Sequence, residues 1–417
     1  MAIQEYSEAP LLSQRARGDL KPVPTFAAIA LIMATLFWVT RWHSYTGDEV
    51  IHFDQIELFV HGKWEMLPNV PQIPLYHLIQ AAAGSVHGSK VPAYRLFNVV
   101  LGFACCLVFW QLARQLKHQR PTLHAATQWA SPLVALLYFM IYTDVLSLLL
   151  IITSLWLCNL RRWSLAGLAA GISIAVRQQN IIWIPALMTY AYLMVHGPTW
   201  NWKDIGTHVQ RMWFCVLACV LFVVFVIWNH GVAVGDRKFH PSFSLHLSNL
   251  TGFLWVWCVA LLPVHLANAT RIKAAIHARP LLVVATLATF LIVLFTFRSD
   301  HPFYEYEGFL RHRLLNWSDR SMLHRCVIAI PAAMGFLALL STKLQESAAI
   351  WLIPYAVLSL LPIWLVEQRY YIAIFALLLL FKTNEDRRWV EYSQLAWFAA
   401  LSSLLGWVVF SNYELFV

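Results

Sequence analysis

Long apolar runs separated by short polar segments dominate the chain. Eight of these runs approach the roughly 20 residues that cross a bilayer as a single helix, so each is predicted to be a transmembrane helix. They lie near residues 24–41, 92–111, 212–229, 247–266, 280–297, 322–341, 348–366 and 393–411.

Three further apolar regions do not have the length of one crossing. Residues 127–160 and 164–196 are too long for one helix and short for two, whereas residues 369–382 are short for one. We interpret the first two as tight helical hairpins and the third as a short span. The pattern then predicts about thirteen crossings with the N-terminus inside, and more than half of the 30 Lys and Arg fall on inner segments, as the positive-inside rule requires.

Composition supports this interpretation. Hydrophobic residues make up 59% of the 417 residues, charged residues only 12%, and the mean hydropathy is +0.60, which excludes an ordinary soluble domain. The net charge of +9 is explained by a cytoplasmic face against anionic lipid and requires no nucleic acid. All seven cysteines lie inside or at the edge of apolar segments, so we expect neither a disulfide nor a metal site.

The segment lengths predict a single membrane domain. Residues 1–23 form a cytoplasmic tail, residues 24–411 the transmembrane domain, and residues 412–417 an outer tail. The first apolar run has spanning length, so it is read as a transmembrane helix and not as a cleavable signal peptide. The main outer loops are residues 42–91, 230–246 and 298–321.

Unusual polar clusters fall on the outer side of this predicted topology. Because ionisable groups at membrane depth usually line a cavity or a pathway, their one-sidedness indicates an outward-facing polar cavity. The alternative is that Arg177 reaches the membrane surface and the amides beside it hold helices together. The clusters are GDEVIHFDQIE (47–57), IYTD (141–144), RQQN (177–180), GDRKFHPSFSLH (235–246), RSDHPFYEYEGFLRHR (298–313) and EQRYY (367–371).

The first outer loop contains a predicted amphipathic helix. From Asp48, a helical period places His52 and Gln55 on the same face, with apolar side chains roughly opposite. Three prolines between residues 68 and 74 interrupt any helix and predict a turn-rich segment before a short re-entrant helix. A helix that merely rests on the membrane with solvated acids is the simpler alternative.

An acid that faces a cavity rich in cations suits transfer from a donor that carries phosphate. The carboxylate can take a proton from an incoming hydroxyl, while cations neutralise the phosphate that departs. Aromatic side chains in the same loops are candidates for sugar stacking or for an interfacial belt. The cations are Arg177, Arg237, Lys238, His240, Arg311, His312, Arg313 and Arg369, and the aromatic residues are Trp64, Phe303, Tyr304, Tyr306, Trp317, Tyr370 and Tyr371.

The chain has neither a GxGxxG nor a GxxxxGK[ST] motif, and no DxD pair that could chelate a metal on a nucleotide sugar. A donor carried by lipid is therefore favoured over a nucleotide sugar.

Several blocks of the sequence, in order, resemble the family of dolichyl-phosphate-glucose-dependent α-1,2-glucosyltransferases. These enzymes add the last glucose to the lipid-linked oligosaccharide of N-glycosylation. The blocks are YTGDEVIHFDQIELFVHGKW (45–64), RLFNVV (95–100), RQQNIIW (177–183), NHGVAVGDRKFHPSFSLHLSNL (229–250), HPF (301–303) and LVEQRYYI (365–372).

The resemblance implies a GT-C fold with its active site on the lumenal or periplasmic side, and an inverting, metal-independent transfer of glucose from polyprenyl phosphate glucose, with no cofactor. It makes Asp48 the general base, with Glu49 the second candidate. It assigns the following residues to the substrate pocket: Arg177, Gln178, Asn180, Asp236, Arg237, His240, His246, Arg311, His312, Arg369 and Tyr370. His52 is added to this pocket because it shares the predicted helix face of Asp48.

Two other classes of protein stay open. A transporter or flippase for a lipid-linked or anionic substrate also explains buried charges, although no internal repeat is visible. An accessory subunit with a dead site would lack the acid, but Asp48 is present. The segment after HPF departs from the eukaryotic pattern, which leaves open the acceptor glycan and the choice between an endoplasmic reticulum and a bacterial inner membrane.

Overall fold

The computed structural model describes residues 19–88, 90–240, 245–305 and 309–411, so most of the predicted N-terminal tail and the outer tail lie outside the described residues. The described part is helical, and its only β-type pairing is one bridge between Leu344 and Lys382, which confirms the all-α class. The α-helices are α1 Pro22–Thr40, α2 Glu49–Val60, α3 Leu75–His87, α4 Val91–Gln115, α5 Pro121–Trp129, α6 Asp144–Asn159, α7 Trp163–Val176, α8 Trp183–His196, α9 Trp202–Arg211, α10 Trp213–Trp228, α11 Ser248–Ala260, α12 Leu262–Ala267, α13 Ala269–Ala278, α14 Leu281–Thr296, α15 Leu310–Asp319, α16 Met322–Ser341, α17 Leu352–Leu360, α18 Ile372–Phe381 and α19 Arg388–Ser411.

Each of the eleven predicted apolar regions overlaps an α-helix, but the first arm of the hairpin predicted at residues 127–160 contains only the end of α5 and a 3₁₀ turn, Leu136–Phe139. In the described part of the chain, α1, α4, α16 and α19 are long and apolar enough to cross a membrane alone. Two bent pairs also qualify: α9 with α10, bent by 78°, and α13 with α14, bent by 108°. The other apolar helices are shorter, so the count of thirteen crossings stays a prediction.

Both long apolar regions are interrupted at the polar clusters. In the first, α5 ends at Trp129 and α6 begins only at Asp144. In the second, extended backbone at Arg177 (φ −145°, ψ 115°) ends α7, and a short 3₁₀ turn leads into α8. Irregular backbone at membrane depth is tolerated only where protein or water satisfies it. The interruptions therefore place polar groups inside the protein.

Small residues allow close contact between helices in this fold. A Cβ atom on Gly335 of α16 would lie 2.0 Å from the backbone oxygen of Leu254 in α11. Helices within a membrane gain stability chiefly from such close packing, since apolar side chains have no hydrophobic advantage over lipid. Gly335 therefore sets the distance at which α11 and α16 contact each other.

A separate polar cluster joins α5, α12, α18 and α19. Arg120 forms an ion pair with Glu391, and Lys382 with Glu385 at 2.5 Å. The side chain of Asn268 donates to Glu385 at 2.8 Å. These groups belong to predicted inner segments and pair with one another, so they hold the helix ends together.

The first outer loop follows its prediction in outline. α2 begins at Glu49, the prolines lie in non-helical backbone, and α3 begins immediately after Pro74. The polar stripe of α2 does not face solvent, however, because the side chains of His52 and Gln55 are buried. The Gln55 side chain forms hydrogen bonds with the backbone of the first outer loop: it donates to the oxygen of Glu65 and accepts from the amide of Leu67. The face of α2 that carries His52 and Gln55 is therefore part of the protein interior, whereas Asp54 lies on its exposed side.

Candidate active site

A cavity of about 850 Å³ lies where the predicted outer polar clusters meet. Its wall combines the start of α2, the turn between α7 and α8, the loop after α10, the segment before α15 and the segment between α17 and α18. Distant parts of the sequence thus converge on one site. The predicted site residues that line it are Asp48, His52, Arg177, Gln178, Asp236, His240, Arg311, His312, Arg369 and Tyr370.

Asp48 lies at the N-terminus of α2, after a turn that Gly47 makes possible with a φ of +60°. The amide of Asp48 donates to the hydroxyl of Tyr142 at 2.9 Å, and that hydroxyl donates to the backbone oxygen of Thr46 at 3.2 Å. These contacts fix the turn. The Asp48 carboxylate accepts from Arg369 at 2.6 Å and keeps 42% of its side-chain surface exposed, so a substrate can reach it.

Two arginines on the cavity wall share one acid. Glu367 accepts from Arg311 at 2.9 Å through one oxygen and from Arg369 at 2.8 Å through the other. Burial alone would raise the pKa of Glu367, but the two guanidinium groups hold that pKa well below its usual value. Glu367 is therefore a permanent anion that orients both arginines, although no motif had marked it as a site residue.

Arg177 is oriented in a similar way. It forms an ion pair with the buried Asp144 at the start of α6, and its guanidinium lies 5.7 Å from the centre of the Tyr370 ring. Asp144 belongs to the polar cluster IYTD (141–144), but its pairing with Arg177 could not be predicted from the sequence. The pair joins the interruptions of the two long apolar regions.

The turn between α7 and α8 is held by its amide side chains. Gln178 donates to the backbone oxygen of Pro71 at 2.5 Å and to that of Val232 at 3.2 Å. Asn180 donates to Ser147 at 2.8 Å and to the backbone oxygen of Ser173 at 2.9 Å. Gln178 thus faces the cavity and ties two loops together, whereas Asn180 lies behind the cavity wall and stabilises the turn.

The loop after α10 docks on the first outer loop through its backbone. The amide of Asp236 donates to the oxygen of Pro68 at 2.6 Å, and that of Gly235 to the oxygen of Val70 at 3.0 Å. A Cβ atom on Gly235 would lie 2.5 Å from the Pro68 oxygen, so only glycine fits. Asp236 follows with a φ of +51°, which turns the chain so that its carboxylate reaches the cavity.

The ionisation of this loop differs from that of a free peptide. Partial burial and the nearby charge of Asp48 raise the pKa of Asp236 to about 6. Burial lowers the pKa of His240 to about 4, so this ring is neutral at pH 7 even though it lies 3.6 Å from Asp236. The loop therefore contributes a carboxylate that titrates near neutrality and no positive charge from His240.

His52 reaches the cavity from one turn inside α2. Its Nδ1 lies 2.9 Å from Nε2 of His77 in α3, and burial lowers the pKa of His52 to about 3. Its Nε2 is buried and has no hydrogen-bond partner among the described residues. The ring is therefore neutral, and His77 fixes its orientation.

Glu49, the second candidate for the general base, does not line the cavity. It is fully buried and forms a bidentate ion pair with Arg95 at 2.6 and 2.8 Å, and it also accepts from the amide of Ile141. Arg95 in turn donates to the backbone oxygens of Thr40 and His43. Glu49 therefore holds α1, α2 and α4 together, and its position does not support the catalytic assignment.

Two other predicted pocket residues also lie outside the cavity wall. Arg237 donates to the backbone oxygen of Ala233 and to the side chain of Asn229, so it braces its own loop. His246 stacks on Trp364 with ring centres 5.6 Å apart. Trp364 lines the cavity, as do Phe239 and Phe309, and the sequence analysis selected none of these three. Of the aromatic candidates it named, Phe303 and Tyr370 line the cavity.

Among the residues that the structure describes, no group of three or more His, Cys, Asp or Glu side chains has the geometry to hold a metal ion. All seven cysteines are free thiols. The residues on the cavity wall therefore suggest charge stabilisation by arginine, and independence from a metal stays a prediction.

These observations define a class: a polytopic helical membrane protein with a large cavity that is lined by both carboxylates and arginines. Comparison with known families is more specific. Residues 42–204 and 194–380 match the model of the DIE2/ALG10 family, and together they cover most of the chain. The chain belongs to the DIE2/ALG10 family, which confirms the resemblance drawn from its motifs.

Relatives of the chain carry a common name. A protein of Arabidopsis thaliana is 20% identical over 438 residues, which cover 80% of this chain and 85% of that protein. One of Kluyveromyces lactis is 23% identical over 440 residues, which cover 88% of this chain and 81% of that protein. Both are named Dol-P-Glc:Glc(2)Man(9)GlcNAc(2)-PP-Dol alpha-1,2-glucosyltransferase.

Solved structures give weaker similarities. ArnT from Cupriavidus metallidurans in the apo state has a TM-score of 0.46 at 18% identity, with 94% of this chain and 76% of that chain covered. The oligosaccharyltransferase of Archaeoglobus fulgidus has a TM-score of 0.40 at 13% identity, with 93% and 58% covered.

Proposed function

We propose that the protein is an inverting α-1,2-glucosyltransferase that moves glucose from a polyprenyl phosphate glucose donor, such as dolichyl phosphate glucose, to a lipid-linked oligosaccharide. The single observation that carries this proposal is the contact between Asp48 and Arg369 on the wall of a large cavity, in a chain of this family. One side chain can accept a proton, and the other can hold a phosphate.

The reaction needs both groups at once. The acceptor hydroxyl attacks C1 of the glucose, the bond from C1 to the phosphate oxygen breaks, and the proton passes to the Asp48 carboxylate. The lipid phosphate leaves as a monoester with additional negative charge. Arginines placed at the leaving oxygen stabilise that charge in the transition state more than in the ground state, which is what accelerates the step.

Other cavity residues have roles that follow from their positions. Arg311 and Arg369, both oriented by Glu367, are placed to hold the phosphate. Phe239 and Phe303, whose ring centres are 4.6 Å apart, and Trp364 offer faces for sugar rings. The neutral imidazoles of His52 and His240 are suited to hydrogen bonds with sugar hydroxyls. No residue in this scheme requires a metal or a cofactor.

The side of the membrane on which the cavity opens is inferred from the predicted topology, in which the polar clusters lie on the outer side. We place the cavity on the lumenal side of the endoplasmic reticulum membrane if the protein is eukaryotic, and on the periplasmic side of the inner membrane if it is bacterial. The transporter hypothesis has no support from the relatives, which are named as transferases.

A transfer assay with purified protein tests this function. Radiolabelled polyprenyl phosphate glucose, and in parallel the mannose equivalent, are offered with a panel of lipid-linked oligosaccharide acceptors. We expect glucose alone to move, and the product to be sensitive to an α-glucosidase. If neither sugar moves to any acceptor while the lipid still binds, a transporter or binding protein becomes the better explanation.

A further inference from the structure

Arg369 donates from one nitrogen to two carboxylates. Its Nη2 lies 2.6 Å from Asp48 and 2.8 Å from Glu367. The two acids differ in environment: the side chain of Glu367 is 3% exposed, whereas that of Asp48 is 42% exposed. Of the two, only Asp48 can move away into the cavity without leaving a charge buried.

The arginines that line the cavity each already have an acid. Arg177 pairs with Asp144, Arg311 with Glu367, and Arg369 with Glu367 and Asp48. His52 and His240, which line the same cavity, are neutral because burial lowers their pKa values to about 3 and about 4. An incoming phosphate therefore competes with a carboxylate for each of these cations, and the exposed carboxylate is the one that costs least to displace.

We propose that the phosphate of the donor displaces Asp48 from Arg369, so that donor binding itself frees the general base, and that Glu367 is the positioning residue that keeps Arg369 in place during this exchange. The inference rests on the proposed function and specifies the regulation of its site.

The proton and the charges can be followed through the whole reaction. Once the phosphate has taken Arg369, the Asp48 carboxylate is unpaired and accepts the proton of the attacking hydroxyl. The bond from C1 to the phosphate breaks and the bond from C1 to the acceptor forms, so Asp48 is neutral and Arg369 holds the phosphate monoester. When Asp48 releases the proton to water, its charge returns and competes with the product phosphate for Arg369. The competition thus also favours product release.

The test measures binding of sugar-free undecaprenyl phosphate to the full-length protein in detergent at pH 7.5. We expect Asp48→Asn to bind about three- to tenfold more tightly than the wild type, since it removes the competing half of an ion pair. Asp54→Asn is the matched control, because it removes the same charge from the exposed side of α2. That control is expected to bind as the wild type does.

A double-mutant cycle ties the effect to one guanidinium. In an Arg369→Gln background, Asp48→Asn should no longer tighten binding, because the shared cation is absent. Arg369→Met, which also lacks the cation, serves in the same cycle if the glutamine variant does not fold. The exchange is refuted if Asp54→Asn increases the affinity for undecaprenyl phosphate as much as Asp48→Asn does. It is also refuted if Asp48→Asn still increases that affinity when Arg369 is absent, because either result would show only a general effect of charge.

Replacement of Glu367 gives an independent test, because the two explanations predict opposite changes in phosphate affinity. Removal of a negative charge beside a phosphate site should strengthen phosphate binding if charge alone matters. If Glu367 positions Arg369 and Arg311, Glu367→Gln should instead weaken binding about tenfold, because neither arginine keeps its orientation. Glu367→Asp, which keeps the charge, should recover part of the loss. Tighter binding by Glu367→Gln would refute the positioning role.

These binding experiments do not depend on turnover. If the exchange is observed but no sugar moves in the transfer assay, the proposed function fails and the competition at Arg369 stands. If glucose is transferred but Asp48→Asn binds the lipid phosphate no more tightly, the function stands and the exchange fails.

Discussion

Two adjacent acids, Asp48 and Glu49, belong to opposite kinds of ionic site. Asp48 is half-exposed on the cavity wall and shares Arg369 with another acid. Glu49 is fully buried, and Arg95 grips both of its oxygens. A buried pair that loses one member leaves an uncompensated charge, whereas a half-exposed pair loses little. One position can therefore change its partner during a reaction, and the other can only support the fold.

Replacement of the exposed acid should separate activity from stability. We expect Asp48→Asn to lower the rate of glucose transfer by about 10²- to 10⁴-fold, because the general base is lost. Its unfolding temperature should remain close to that of the wild type, since Arg369 keeps Glu367. Initial rates and thermal unfolding in the same detergent measure the two quantities. Normal turnover by this variant would remove Asp48 from the mechanism.

Replacement of the buried acid should do the reverse. Glu49→Gln is expected to lower the free energy of unfolding by about 3–5 kcal/mol, because Arg95 keeps a buried charge without its anion. The yield of monodisperse protein and the unfolding temperature should both fall. Stability equal to that of the wild type, together with lost transfer, would show that Glu49 belongs to the catalytic site after all.

A smaller effect is expected where the loop after α10 meets the first outer loop. Gly235→Ala should lower the transfer rate by about tenfold, since its Cβ atom would push Asp236 and His240 away from the cavity. Gly206→Ala in α9 is the matched control, because its Cβ atom would have no neighbour within 4 Å. Equal activity of the two variants would show that the docking of this loop is not needed for transfer.

The smallest effect concerns pH. The pKa of Asp236 is raised to about 6, so this carboxyl gains a proton as the pH falls from 7.5 to 5. The cavity then carries one negative charge fewer, and a phosphodiester analogue of the donor should bind about two- to fivefold more tightly at pH 5. A phosphodiester is required because its own charge is constant in this range. In Asp236→Asn the dependence should disappear, and its persistence would point to another titrating group.

Much of the fold was predictable from the sequence because apolar length is a local property. The helices in the apolar regions, the helix that begins beside Asp48 and the interruptions near Asp144 and Arg177 all follow from runs of side chains and from prolines. The docking of Gly235 on Pro68 did not follow. It depends on a contact between backbone atoms of two distant loops, and neither loop encodes its partner.

The candidate site shows the same division. Composition and apolar length predict that the protein lies in a membrane and that its polar residues cluster on one side. The motifs predict that Asp48, Arg177 and Arg369 belong to one site, and all three line the cavity. The buried pairing of Glu49 with Arg95, and the contact of Glu367 with two arginines, become visible only in the folded chain. The physical reason is that the role of a charged group depends on its exposure and on the opposite charge it meets, and folding brings that charge from a distant segment of the chain.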